Sequence, residues 1–404
     1  MKKYFVYYSS LIGVTGMGLS ALALFGLDAC KKTVTTSVNN IQWMKVISDT
    51  AGSQGGSNIR ATNDGGIILD HFTGNGASVF IRYDKNGNVV WNRVFQNFVP
   101  TDFCLTPGNE ILSVQDSANF IVVNKMDNNG VKTTLVSYID SQVVTRVSNL
   151  AILPTLDGGC MAYGSYQIQT LVDSVPNAVS KSFYFKTDNE GTVDYKQVTT
   201  PGGFYPITCC EENADQTYTF LCHDTSGSSI LFNSDLNGFI TQILPYSLGY
   251  GKSVSYIFNN QGANYLLGTG NYNSGNNSYN TMVVYTLNAD LSIKDSLTIP
   301  ISGINNFGGS YKILFTPLQT GFDLLVSNFT LPPNSSLYIT SYTEMVHVNP
   351  DLYGYTIYPL QPYYGSQPIG ICTTTDGYVV LLYMVLNKNH SAFDYTITKI
   401  KNVF

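Results

Sequence analysis

The sequence predicts an all-β chain folded as a seven-bladed β-propeller whose last blade is closed by the N-terminal strand, and three observations carry that prediction. Composition is the first: among 404 residues 44% are hydrophobic and only 12% charged, so a large core can be buried, and 36 Gly with 29 Tyr suit strands and tight turns better than helices. The second is a strand-turn-strand signal that recurs along the chain at a mean spacing of about 52 residues, the size of one blade. The third is that its final copy is divided between the two chain ends. A ring that completes its last sheet with an N-terminal strand leaves no open seam.

In chain order, Lys2 and Lys3 precede an apolar stretch from Leu11 to Phe25, and the segment ends in Leu27-Asp28-Ala29-Cys30, the order of parts of a secretory signal. A Leu three residues before a Cys and an Ala directly before it resemble the lipobox of bacterial lipoproteins, where cleavage leaves that Cys as the lipid-bearing first residue. Lys31-Lys32 and the Thr/Ser/Val/Asn-rich tether that follows resemble lipoproteins of the Bacteroidota in particular. The resemblance implies a signal peptide over 1–29, lipid attachment at Cys30, a tether over 30–39 and a single propeller domain over 40–404. It also implies the outer membrane as the address. No acidic run follows Lys31 and Lys32, which points to the periplasmic side rather than the cell surface. Phe5 to Leu27 is also long enough to span a bilayer as an uncleaved anchor. On either reading the body lies outside the cytoplasm.

Within the domain, the second strand of each unit opens at Ile67, Ile111, Cys160, Tyr218, Tyr265, Phe322 and Tyr378. A short turn precedes each, among them Asn63-Asp64-Gly65-Gly66, Leu156-Asp157-Gly158-Gly159 and Thr375-Asp376-Gly377. Asp-Gly and Asn-Gly pairs tolerate the positive φ that tight hairpins need. A third strand then runs into a second polar turn, as in Arg82-Tyr83-Asp84-Lys85-Asn86-Gly87, Lys125 to Gly130, Lys186 to Gly191 and Asn233 to Gly238. Asp at the head of such a turn bonds backbone amides two residues on, and Gly takes the left-handed position. Each unit therefore supplies four strands, A to D. The chain ends on a third strand with Lys399 at the place of Arg82, and its missing fourth strand is Asn40 to Ile47, which aligns with Asn88 to Phe95 without a gap and sets Trp43 on Trp91. The repeat resembles the degenerate propeller units of secreted Bacteroidota proteins, of the form Asp-Gly-Gly, strand, Lys-x-Asp-x-Asn-Gly, strand with Trp. That resemblance implies a fold and no particular activity.

In such a ring the A-B and C-D turns share one face and the B-C and D-A connections the other. The first set is short and regular. The second is long and varied, with B-C loops expected over Ser165 to Ser180, Asn271 to Ser278 and Asn328 to Ser336, as on a scaffold that binds through its loops. The D-A connections on that face collect Phe98, Phe204, Tyr205, Tyr246, Tyr250, Phe307, Tyr311, Tyr358, Tyr363 and Tyr364. Rings among Asn, Gln and Ser suit sugars, whose CH faces stack while their hydroxyls take polar partners. Tyr205, Tyr246, Tyr250, Phe307, Tyr363 and Tyr364 are therefore the ligand-binding candidates, and packing between blades is the alternative for each. His71 and His223, at equivalent ends of strand B, join them.

Lys+Arg number 21 and Asp+Glu 27; removing Lys2, Lys3 and Asp28 with the leader leaves 19 against 26, a balance that argues against nucleic acid. No nucleophile elbow or phosphate loop is present, the cysteines and four histidines show no zinc spacing, and the Asp-x-Asn-Gly turns lack the further acids of a calcium loop. No cofactor or metal is expected. Aligning the fourth unit's turn puts Cys209 across from Cys222, which permits a disulfide over the A-B hairpin, with buried thiols as the alternative. These features together point to a monomer, touching the membrane only through its N-terminal lipid, that binds a glycan or an envelope protein without catalysis. A polysaccharide-acting enzyme or a scaffold in an outer-membrane complex are the other readings.

Overall fold

The computed structural model describes residues 41–48, 57–73, 76–117, 120–138, 144–172, 175–199, 205–223, 228–246, 252–260, 262–274, 277–305, 311–318, 321–330, 339–360, 366–386 and 393–401. They form seven four-stranded antiparallel sheets, each in the order A-B-C-D. Strands A of successive sheets pack against one another, as Ser57–Ala61 does on Ser366–Thr373 and Tyr205–Glu212 on Lys252–Asn260, which sets them on the inner side of the ring. The chain is a seven-bladed propeller, as its repeat predicts.

Ile41–Ser48 closes blade 7 by pairing antiparallel with Phe393–Lys401. Trp43 lies opposite Lys399 as Trp91 lies opposite Arg82, so the alignment of the two chain ends holds to the residue.

Each blade buries both faces against its neighbours, which is why strands B and C read as nearly unbroken apolar runs such as Ile67-Ile68-Leu69 and Val79-Phe80-Ile81. The core is accordingly a ring of clusters between successive sheets. Ile68, Phe80 and Trp91 of blade 1 meet Phe103, Ile111 and Met126 of blade 2. Blade 7 meets blade 1 through Val380, Leu382 and Tyr395 against Ile59, Ile67 and Leu69.

The repeated polar motif joins the sheets on the regular face. The strand C base of a blade bonds the acid of its own A-B turn in Arg82–Asp64 at 2.8 Å and Lys399–Asp376 at 2.9 Å, and also in Lys186–Asp157. It reaches the next blade's C-D turn as well: Arg82 donates to the Asn128 carbonyl, and Lys399 to the Lys85 carbonyl, each at 3.2 Å. Strand D adds a second contact there, because Trp43 donates to the Lys85 carbonyl at 3.1 Å and Trp91 to that of Asn128 at 2.8 Å. A Cβ on Gly87 would come within 2.9 Å of the Trp43 ring, so that Gly serves both its φ of 81° and the close approach. In blades 5 and 6 the same turn position is taken by Leu291 and Leu352, at φ 63° and 58°, both buried.

Two of the three expected B-C loops are continuous ladder. Blade 3 keeps pairing from Ser165↔Ser182 to Val172↔Val175, and blade 5 from Asn271↔Asn280 to Ser274↔Asn277. In blade 6 pairing continues to Thr330↔Ile339, and residues 331–338 lie outside the described residues. Polar composition suggested loops, but an extended hairpin satisfies every inward backbone group that a loop would leave to solvent.

Candidate functional site

Strand length sets the relief of the loop-rich face. In blade 4, strands B and C are Tyr218–His223 and Ser229–Ser234, six residues each. Their neighbours are Cys160–Val172 and Val175–Thr187 in blade 3, thirteen residues each, and Ala263–Ser274 and Asn277–Leu287 in blade 5, twelve and eleven. At about 3.3 Å per residue, the flanking hairpins carry the ladder on the order of 15–25 Å beyond the end of blade 4. Blade 4 is thus a low saddle between two tall neighbours.

Three of the predicted residues meet in one row across the end of that saddle. Tyr205 pairs with His223, His223 with Ser229, and Ser229 with Tyr246, one residue from each of strands A to D. Their scattered sequence positions hide this, and only strand pairing assembles it. The flanks of the row are built by ordinary packing: Leu221 and Leu231, two residues below His223 and Ser229, lie in the cluster shared with Val254 and Ile257 of blade 5. Tyr246 is half-buried against that cluster, and burial, aided by the charge of Asp290, pushes its phenol up to about 12, so it stays a neutral donor. Its buried hydroxyl oxygen has no hydrogen-bond partner among the described residues. Ser229 is tied down, its Oγ accepting the Val254 amide at 3.3 Å. On the blade 5 wall the register sets Tyr272 opposite Tyr279 and Asn273 opposite Ser278. Asn271 to Ser278 is one of the B-C loops expected on the binding face, and its Tyr/Asn/Ser composition is that of adaptable binding surfaces.

The other candidates disperse. His71 is buried in blade 1, its ring centroid 5.4 Å from that of Tyr395 in blade 7, on the opposite interface to the saddle. Phe98 is core, packed tilted against Phe80 and edge-on to Phe95 between blades 1 and 2. Tyr250, Phe307, Tyr363, Tyr364 and Cys30, the expected point of lipid attachment, lie outside the described residues, as do the expected leader and tether.

The Cys209–Cys222 bridge that the hairpin alignment permits is ruled out by the register, and both thiols are free. A shift between Tyr205 and Cys209 places Cys209 opposite Leu221, so the two sulfurs fall on opposite faces of the sheet. Cys209 packs toward blade 5 and bonds the Ile257 carbonyl, whereas Cys222 lies in the cluster shared with blade 3. Burial pushes the Cys209 thiol up to about 12, which removes its reactivity.

No protein-family model matches the chain, and no curated protein does. Among solved structures, YCF48 from Cyanidioschyzon merolae is similar over 89% of this chain and 98% of its own, at 11% identity and a TM-score of 0.48. The Dos1 propeller is similar over 86% of this chain and 78% of its own, at 10% identity and a TM-score of 0.43. A protein of unknown function from Dyadobacter fermentans DSM 18053 covers 90% and 98%, at 10% identity and a TM-score of 0.44. At these identities the likeness concerns the fold alone.

Proposed function

We propose that the chain is an extracytoplasmic binding protein, anchored through Cys30 to the periplasmic side of the outer membrane, and that its saddle at blade 4 holds a glycan without catalysing a reaction on it. The observation that carries this reading is the row Tyr205, His223, Ser229 and Tyr246 lying between the two long hairpins. Residues of these types are the ones that sugars use, Tyr for stacking and His or Ser for hydrogen bonds. A rigid sheet end fixes their spacing in advance, which lowers the ordering cost of binding. The monomer suffices, since the row and both walls belong to one chain.

The test is a glycan array probed with the full chain in detergent, followed by titration of the best ligand. Affinities between millimolar and micromolar, about −4 to −8 kcal/mol, suit so small a set of contacts. Tyr205→Ala with Tyr246→Ala should weaken binding at least tenfold while the melting transition persists. Unchanged binding in that folded double variant would overturn the site, and capture of an envelope protein with no glycan on the array would replace the ligand class.

A further inference from the structure

We propose that the interface between blades 1 and 2 holds a buried site for a hard cation such as Na⁺ or Ca²⁺, anchored by the Asp70 carboxylate and completed by neutral oxygens from both sheets. Strand B of blade 1 points Ile68 toward blade 2, and by the two-residue period of a strand Asp70 points the same way. The corresponding positions of blades 2, 4, 6 and 7 are Val114, Leu221, Leu325 and Leu382, all buried. Asp70 is therefore a carboxylate set where the repeat otherwise places apolar core.

Its surroundings are built to match. Asp70 is 0% exposed; Oδ1 accepts the Asn58 amide at 2.5 Å, and Oδ2 has no hydrogen-bond partner among the described residues. Ser78, on the same face of blade 1, has an unpartnered buried hydroxyl. On the facing surface of blade 2, the Ser113 hydroxyl, the Gln115 Oε1 and the Asn124 Nδ2 are buried without partners too. Both groups flank one contact: Asp70 is paired with Phe80 and Ser113 with Phe103, and those two rings sit 5.5 Å apart.

The charge of Arg60 favours the ionised carboxylate, but its guanidinium bonds Asp102, at 2.8 Å, and makes no ion pair with Asp70 among the described residues. Burial accordingly pushes Asp70 up to about 7, with Asp102 adding to the rise. An ionised carboxylate in such a place requires a counter-charge. Asp70 Oδ2, two hydroxyls and an amide carbonyl form an all-oxygen set, the kind that hard cations take. Asn124 Oδ1 accepts from Thr134, a hydroxyl that can serve the amide nitrogen equally, so a flipped amide would add a further oxygen. One negative charge matches Na⁺, and Ca²⁺ is the alternative with the same ligand chemistry.

The test uses the full chain in detergent at pH 8, with melting followed in choline chloride, NaCl, KCl, MgCl₂ and CaCl₂ at equal ionic strength. A saturable, ion-specific rise of several degrees is expected for Na⁺ or Ca²⁺ over choline. Asp70→Asn should abolish that rise and melt in choline at or above the wild-type temperature, while Ser113→Ala should raise the ion concentration needed severalfold. Equal melting in all salts, or ion dependence that survives in Asp70→Asn, would overturn the proposal and leave Asp70 a protonated core residue.

Discussion

Replacing Lys399 by Met tests how the ring is held shut. The Lys399 side chain is fully buried at the junction of blades 7 and 1, where its Nζ donates to the Gly65 carbonyl at 3.2 Å, the Lys85 carbonyl at 3.2 Å and Asp376 Oδ2 at 2.9 Å, and lies 4.9 Å from the centre of the Tyr378 ring. Met keeps the stem and removes the charge. Each lost hydrogen bond from a charged donor costs about 1.5–3 kcal/mol, but the terms do not add. The Asp376 side chain is 32% exposed and recovers water, so the loss falls at the low end of the ~3–5 kcal/mol for breaking a fully buried pair. We expect about 3 kcal/mol. Lys125, the equivalent base of blade 2, is the internal control: it pairs with Glu110 at 2.8 Å, with side chains 24% and 34% exposed, and Lys125→Met should cost under about 1 kcal/mol. Urea unfolding followed by Trp fluorescence in a Trp91→Phe background reads the seam directly, since the remaining Trp43 donates to the Lys85 carbonyl and stacks 6.4 Å from Tyr83. Equal losses in the two Met variants would refute the view that the seam is held by a desolvated cation.

Three further outcomes follow from the same geometry. Gly238→Ala should cost about 2–4 kcal/mol in urea unfolding, because φ is 79° and the new Cβ would lie 2.3 Å from the Tyr195 ring; Leu352→Gly, at the equivalent turn of blade 6, should also destabilise, since relief of about 1 kcal/mol of backbone strain is outweighed by about 2 kcal/mol of lost burial. Glu211 is pushed by burial up to about 8, against an unfolded value of 4.5, so the folded state holds a proton that the unfolded state releases. Stability should therefore fall as pH rises from about 4.5 to 8, and urea midpoints measured from pH 5 to 8 should decline less steeply in Glu211→Gln; an unchanged slope would exclude Glu211 as the source. Alkylation after unfolding without reductant should label both Cys209 and Cys222, and a mass two units low with neither labelled would show the bridge after all.

Much of the fold is local chemistry written repeatedly, which is why it can be read from the chain. Asp64-Gly65-Gly66 and Asp84 to Gly87 place their turns through side chain-to-backbone bonds within a few residues, so blade number and turn positions follow without knowledge of distant contacts. The divided seventh blade is legible for the same reason: Trp43 and Lys399 are recognisable copies of Trp91 and Arg82. Ladder length is another matter. Asn271 to Ser274 and Asn277 to Asn280 have a loop's composition and become strand because pairing satisfies their backbone. Register is equally non-local, and one shift between Tyr205 and Cys209 is enough to turn Cys209 away from Cys222. The same pairing draws Tyr205, His223 and Tyr246 into one row and leaves His71 in the core. Which blade stands low, and which side chains face across an interface as Asp70 and Ser113 do, depends on contacts between segments tens of residues apart. Repeated turns specify the ring; only the packing of unequal blades around it decides the relief of its loop face.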